Sequence, residues 1–222
     1  MQKFVVVVAG GKGLRMGSEI PKQFMLLNNL PILMHTLSNF YQWDNEVNLI
    51  LVLPENQLDY WNQLCLEYQF TVPHQITKGG ETRFHSVLNG LQLVPKNTLV
   101  AIHDAVRPFV SKNTIQQCFD EAKAKGNAIP FTFIPDSLRW IENGESKILN
   151  RDKVIKILTP QVFQSNILHL AFQQTYQDFF TDDASVIENI GEKINLVEGN
   201  PENIKITTPN DLIVAEAYIK HF

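Results

Sequence analysis

Three cations, Lys12, Arg15 and Lys22, stand in and just beyond the glycine-rich stretch of VVVVAGGKGLRMGSEIPKQF (residues 5–24). Gly10, Gly11 and Gly13 let a backbone approach a ligand closely and turn its amides inward. Two familiar phosphate loops are excluded by spacing. A Walker A loop needs Gly-Lys followed by Ser or Thr, and Gly11-Lys12 is followed by Gly13. A dinucleotide fingerprint counted from Gly11 and Gly13 meets Met16 where its third glycine belongs, and no acidic residue closes a second strand about 20 residues on. What remains is a cradle for a triphosphate, against the plainer reading of a solvated loop with scattered cations. Pro21 restricts the backbone beside Lys22, which favours a fixed ammonium over an ordinary surface lysine.

A second set of chemical groups lies at HDAVRPF (103–109). Asp104 follows an apolar run and should sit at the carboxyl end of a strand, where open α/β sheets bind ligands. His103-Asp104 can be read as an acid/base dyad, or His103 as a packed, hydrogen-bonded histidine. Arg107 reaches either a ligand or a structural ion pair. Ser86, in ETRFHSVLNGLQLV (81–94), is either a ligand contact or a helical serine bonded back to the preceding turn.

The elements that must position these groups alternate. Phe4 to Val8 is a continuous apolar run, expected as a strand buried on both faces, as are NLILVL (48–53), TLVAIH (98–103) and NAIPFTF (127–133). Helical patterns lie between them at 31–40, 56–68, 81–94 and 111–126, the last with Ser111 as N-cap and Gly126 closing it. Further helices are expected near 165–177 and 183–190, strands at 194–199 and 203–208, and a closing helix over 210–220 capped by Asn210. This alternation predicts one three-layer, Rossmann-like α/β body with a mainly parallel twisted sheet, spanning 1–222. Residues 134–157 break the rhythm: SLRWIENGESKIL is two alternating runs around Asn143-Gly144, the signature of a β-hairpin, read as an arm leaving the body. Leu138, Trp140, Ile141, Ile148 and Leu149 give that arm an apolar surface that needs a cover, and a second copy of the chain can supply it.

At 222 residues the chain can bury roughly 70% of its unfolded surface. Its 19 basic and 23 acidic residues give a net charge of −4, which argues against broad binding to nucleic acid, so an anion site must be local. Cys65 and Cys118 form no CxxC pair, no stretch approaches a membrane span, and no secretory pattern opens the chain; a cytoplasmic protein is expected.

AGGKGLRMGSEIPKQF resembles the nucleotide-binding signature of sugar-phosphate nucleotidylyltransferases. Its Pro-Lys-Gln-Phe ending resembles the branch of cytidylyltransferases acting on 2-C-methyl-D-erythritol 4-phosphate, with their ribitol-phosphate relatives. GGETRFHSVLNGL (79–91), HDAVRPF, LTPQVF (158–163), TDDAS (181–185) and NIKITTPNDL (203–212) are similar to further segments of that branch, in the same order. The resemblance implies transfer of CMP from CTP to the polyol phosphate with release of pyrophosphate, in non-mevalonate isoprenoid precursor synthesis. It implies Arg15 and Lys22 as transition-state stabilisers, and Arg151 and Lys205 as cations that grip and orient the polyol phosphate. It implies CTP contacts at Ala9, Gly10, Gly11, Gly13, Gly80, Glu81, Ser86 and Ala105, and polyol contacts at Arg107, Asp136, Ser137, Thr159 and Thr181. Asp104 becomes the carboxylate of an Mg²⁺ site, a cation suited to one or two carboxylates plus phosphate oxygens. A homodimer is implied, with Arg151 entering the partner's active site. Two departures stand out: Ser137 replaces the branch's threonine after Asp136, and Asn150 replaces a common aspartate before Arg151.

The same chemistry on ribitol 5-phosphate is the alternative reading. A catalytically dead nucleotide-binding module is a rival of another class. It predicts erosion of the cation set, yet Arg15, Lys22, Arg151 and Lys205 are all present.

Overall fold

The valines after Lys3 alternate between two hydrophobic cores. In β1 (Lys3–Val8), Val5 and Val7 join one buried cluster and Val6 and Val8 the other. A strand packed on both faces needs helices on both, which explains its continuous apolar run. The structure, a computed structural model, describes residues 1–9 and 20–220. The expectations for Gly10, Gly11, Lys12, Gly13 and Arg15 fall outside those residues.

After β1 come a small antiparallel pair, β2 (Leu26–Leu27) and β3 (Leu30–Pro31), then α1 (Ile32–Trp43), β4 (Asn48–Leu53), α2 (Leu58–Glu67), β5 (Gln75–Lys78), α3 (Arg83–Leu91), β6 (Leu99–Asp104), α4 (Lys112–Lys125) and β7 (Asn127–Phe133). The chain continues with β8 (Leu138–Glu142), β9 (Glu145–Leu149), β10 (Ile155–Ile157), β11 (Gln161–Gln164), α5 (Ser165–Ala171), α6 (Asp183–Glu188), β12 (Leu196–Glu198) and α7 (Pro209–Tyr218). The main sheet runs β10-β7-β11-β6-β1-β4-β5, with β12 on β7. β1 is parallel to β4 and β6, β4 to β5, and β7 to β12; β10 and β11 run antiparallel to their neighbours. Helices α1, α2 and α4 cover one face through residues such as Phe40, Trp61 and Phe119. α3, α5 and α6 cover the other through Phe84, Leu168 and Ile187. α3 lies close against the sheet at Gly90, where a Cβ would come within 2.5 Å of Val6 Cγ1.

This is the expected three-layer body. α4 starts at the predicted cap, Ser111 accepting from the Thr114 N–H, and closes at Gly126 with φ +97°. The 138–149 segment is a two-stranded hairpin, with positive φ at both Asn143 (50°) and Gly144 (80°).

Three expectations fail. The arm expected over 134–157 does not extend to its last residues, because Ile155–Ile157 pair antiparallel with Phe131–Phe133 of β7 and belong to the main sheet. Residues 203–208 form no strand. Ile206 instead buries itself among Leu27, Ile32, Val106, Phe109 and Ala215, and its N–H meets Val106 O at 3.0 Å. The alternation of Ile204 and Ile206 reflects packing, with no ladder beside it. The closing helix is capped by Thr208 and not by Asn210. Thr208 and Asp211 exchange hydrogen bonds in a capping box, and Pro209 takes the first helical position, which its fixed φ suits. β5 and β11 carried no expectation as strands: β5 is a short, exposed edge and β11 a short, antiparallel insert.

Candidate active site

Register fixes where the chemistry gathers. Val8 of β1 pairs with Asp104 of β6, so Ala9 and Asp104 emerge side by side at the carboxyl edge of the sheet. Asp104 Oδ2 lies 3.0 Å from Arg107 Nε and 3.0 Å from Lys205 Nζ, and Oδ1 lies 3.8 Å from Arg83 Nε. Burial would raise the pKa of this carboxyl, but Lys205, Arg83 and Arg107 hold it well below the usual carboxylate range. It is ionised at any working pH.

His103, one residue before it, serves a structural network. Nε2–H donates to the Arg107 carbonyl at 3.0 Å, and Nδ1 accepts from the Thr159 hydroxyl at 3.0 Å. That hydroxyl in turn accepts from Asp104 N–H at 3.1 Å. Arg107 Nη1 donates to Asn203 O, and Asn203 Nδ2 to Thr159 O. The imidazole is fully buried, and burial pushes its pKa down to about 4, so the ring is neutral. Both ring nitrogens are taken by protein groups and the ring lines neither cavity described next, so His103 is the packed, hydrogen-bonded histidine and not the base of a dyad. Arg107 is 6% exposed and makes the structural ion pair that was its plainer reading.

Two cavities meet at Asp104. One, of about 260 Å³, is lined by Ala9, Lys22, Gln23, Ala105, Val106 and Val8 together with Arg83, Asp104 and Lys205. The other, of about 300 Å³, is lined by Arg107, Thr159, Gln161, Thr181, Asp182, Ile157 and Leu158, and again by Arg83, Asp104 and Lys205. The three shared residues form the wall between them. Lys22, Arg107 and Lys205 leave positive charge in excess of Asp104 and Asp182 around this junction, where phosphates would be attracted. Lys22 opens a 3-10 turn after Pro21. The turn is anchored by Gln23, whose buried amide donates to Ala9 O at 3.1 Å and to Gln57 Oε1 at 2.6 Å, and by Phe24, which packs on Tyr60 and Trp61.

The loop before α3 is shaped by Ser86. Its hydroxyl donates to Thr82 O and accepts from Gly80 N–H, each at 3.0 Å, which leaves one lone pair. Gly80 admits no side chain, since a Cβ would stand 2.4 Å from His85 Cβ. Gly80 and Glu81 are exposed at the loop's surface.

The expected polyol contacts divide. Arg107, Thr159 and Thr181 line the second cavity. Asp136, Ser137 and Arg151 lie exposed at the root of the hairpin and line neither cavity, and Arg151 donates to Pro135 O. Sequence reasoning missed Arg83 and Gln23 as site residues, although both stood inside quoted motifs. For a cation the fit is that of a single carboxylate. Among the described residues no cluster of three His, Cys, Asp or Glu side chains could hold a metal, so phosphate oxygens would have to complete the sphere around Asp104.

A model of the family described as 2-C-methyl-D-erythritol 4-phosphate cytidylyltransferase matches residues 3–221. Proteins of that name from Bacteroides fragilis and Phocaeicola vulgatus are 49% and 48% identical over 219 residues, covering 99% of this chain and 100% of theirs. Among solved structures, the 2-C-methyl-D-erythritol 4-phosphate cytidylyltransferase of Francisella tularensis superposes with a TM-score of 0.82 at 30% identity, covering 98% of this chain and 99% of its own. The 4-diphosphocytidyl-2C-methyl-D-erythritol synthase of Anaerococcus prevotii gives 0.82 at 26% identity, covering 99% and 98%.

Proposed function

The chain belongs to the 2-C-methyl-D-erythritol 4-phosphate cytidylyltransferase family, and from that premise we propose how its residues divide the work. It is a CTP-dependent cytidylyltransferase of isoprenoid precursor synthesis, moving CMP from CTP onto 2-C-methyl-D-erythritol 4-phosphate. The observation that carries the division is the pair of cavities sharing one wall of Arg83, Asp104 and Lys205.

The first cavity takes the nucleotide. Ala9 and Ala105 flank its phosphates with Gly10, Gly11 and Gly13, and Gly80, Glu81 and Ser86 form the cytosine end. The second takes the polyol phosphate, against Thr159, Thr181 and the remaining donors of Arg107. Lys205, at the junction, orients the attacking phosphate. A phosphate oxygen forms a bond to the α-phosphorus while the bond to the pyrophosphate oxygen breaks. The attacking phosphate oxygen is already deprotonated at neutral pH, so no general base is required, and the neutral, buried His103 supports this reading. Lys22 and Arg15 stabilise the charge that builds on the α-phosphate and the leaving group. Lys22 is a compact point charge and Arg15 a planar fork. Asp104 is the carboxylate that would hold Mg²⁺; Oδ1 faces Arg83 Nε at 3.8 Å, whereas Oδ2 has two cations at 3.0 Å. The ion would neutralise charge on the phosphates.

The active form is a homodimer. Trp140 is 57% exposed, Ile141 74% and Ile148 84%, on a hairpin too small to be stable alone in water. A second copy covers that surface and receives Arg151, Asp136 and Ser137. The reaction takes place in the cytoplasm, a reading supported by two free cysteines, Cys65 and Cys118, and by the absence, among the described residues, of a helix long and apolar enough to cross a membrane.

The test is pyrophosphate release from CTP, with 2-C-methyl-D-erythritol 4-phosphate and ribitol 5-phosphate in parallel, each with Mg²⁺ or excess chelator. Turnover with the methylerythritol substrate and Mg²⁺ alone is expected. Full activity in chelator would remove the metal from the scheme, and a preference for ribitol 5-phosphate would reassign the second cavity.

A further inference from the structure

Arg83 was not among the expected site residues, yet it borders both cavities. Its Nη1 donates to Asp183 Oδ1 at 2.9 Å and its Nη2 to Asp183 Oδ2 at 2.6 Å, a fork that fixes the plane of the guanidinium. Its Nε edge lies 3.8 Å from Asp104 Oδ1. Asp183 is fully buried at the first turn of α6. The residue before it, Asp182, caps that helix and accepts from Gln161 Nε2 at 2.8 Å, and Thr181 precedes both. One guanidinium therefore ties the end of β6 to the start of α6, across 100 residues of sequence between Arg83 and Asp183.

We infer that Arg83 is a positioning residue for the polyol phosphate. Held from behind by Asp183, it keeps the Asp104 carboxylate and the Thr181–Asp182 segment at a fixed spacing. That spacing sets the width of the second cavity and keeps positive charge on its inner wall. The inference rests on the reading of that cavity as the polyol site. A purely structural role is the competing account: Arg83 would only compensate the buried Asp183 carboxylate, whose protonated form is favoured by burial and whose ionised form is favoured by Arg83.

The two accounts separate in a charge-neutral pair. Arg83→Gln with Asp183→Asn removes both charges together and leaves no uncompensated buried carboxylate. If compensation is the whole role, the double variant recovers the fold and the kinetics together. If Arg83 positions the substrate, the double variant melts near wild type but its KM for 2-C-methyl-D-erythritol 4-phosphate rises about tenfold, well beyond any change in CTP affinity or in kcat. CTP affinity is read by calorimetry without the second substrate. Arg83→Lys keeps a positive charge for Asp183 and loses the fork, so it should fold and show a smaller rise in the same KM. A folded double variant with an unchanged KM, or a loss confined to CTP binding, overturns the inference. Should the double variant fail to fold, a wild-type KM in Arg83→Lys overturns it instead. Wild-type enzyme is the control for the cavity assignment: if it does not turn over the methylerythritol substrate, that reading has failed, whatever Arg83 does.

Discussion

Lys205 Nζ stands 3.0 Å from Asp104 Oδ2, although one residue ends a central strand and the other lies in an irregular stretch before the last helix. With Arg107 on the same oxygen, the carboxylate is caged by cations and its pKa falls well below normal. A depressed carboxyl pKa stabilises the fold fully above the unfolded value of about 3.9, and that stability drains away as pH falls below it. Asp104→Asn should flatten the loss of stability below about pH 4, seen in urea midpoints taken across acid pH. It should also slow turnover. A variant with the wild-type acid limb would show that Asp104 is not held as the geometry implies.

His103 titrates in the opposite sense to most histidines that gain a partner. Its folded pKa is about 4 and its unfolded value about 6.5, so between those limits only the unfolded chain takes up the proton. Stability contributed this way is complete above about pH 6.5 and falls by roughly 3 kcal/mol as pH drops to about 4. His103→Gln should lose that part of the slope while lowering stability at neutral pH. The pH profile of kcat between about 6 and 8 should keep its wild-type shape in any folded His103 variant, because the ring carries no catalytic proton. A new limb in that range would restore His103 to the mechanism.

Lys22 is held by a turn whose anchors, Gln23 and Phe24, are independent of its ammonium. Lys22→Ala should therefore fold normally and lose on the order of 10²–10³ in kcat, as for one preorganised charge stabiliser. Arg15→Ala should do the same, and Arg15→Lys should remain impaired because the fork is lost. Near-normal turnover in either alanine variant removes that residue from the scheme.

The hairpin makes the proposed dimer testable by mixing. Arg151→Ala and Lys22→Ala should each be nearly inactive alone. After proven subunit exchange, about half of the dimers pair one of each, and each such dimer has one intact site, so activity should approach roughly a quarter of wild type. No recovery would mean that Arg151 works within its own subunit.

Much of this protein was decided by short-range sequence. The four valines, the Ser111 and Gly126 ends of α4 and the Asn143-Gly144 turn each depend on residues a few positions apart, and each formed as the local pattern implied. The motif residues Asp104, Thr159 and Thr181 were legible for the same reason: their types and neighbours carry the signature. Local pattern misled where packing satisfied it in another way. Ile204 and Ile206 alternate like a strand, but Ile206 is buried in the α7 cluster and Ile204 packs half-buried against it without a ladder, and Thr208 outcompetes Asn210 as a cap because proline occupies the position between them.

What only the tertiary structure decided is which charges meet. Arg83 finds Asp183, Lys205 finds Asp104, and Thr159 finds His103, each across a long loop of chain. Nothing in the spacing of those residues encodes the pairing, because it follows from the order of strands in the sheet and the register of β1 on β6. Ionic and hydrogen-bonded contacts act over a few ångströms in space, and sequence distance does not measure that. So the chain's own residues pointed toward a phosphate site, and the fold determined that His103 is a structural ring, that Arg107 is paired with Asp104, and that Arg83 borders both cavities.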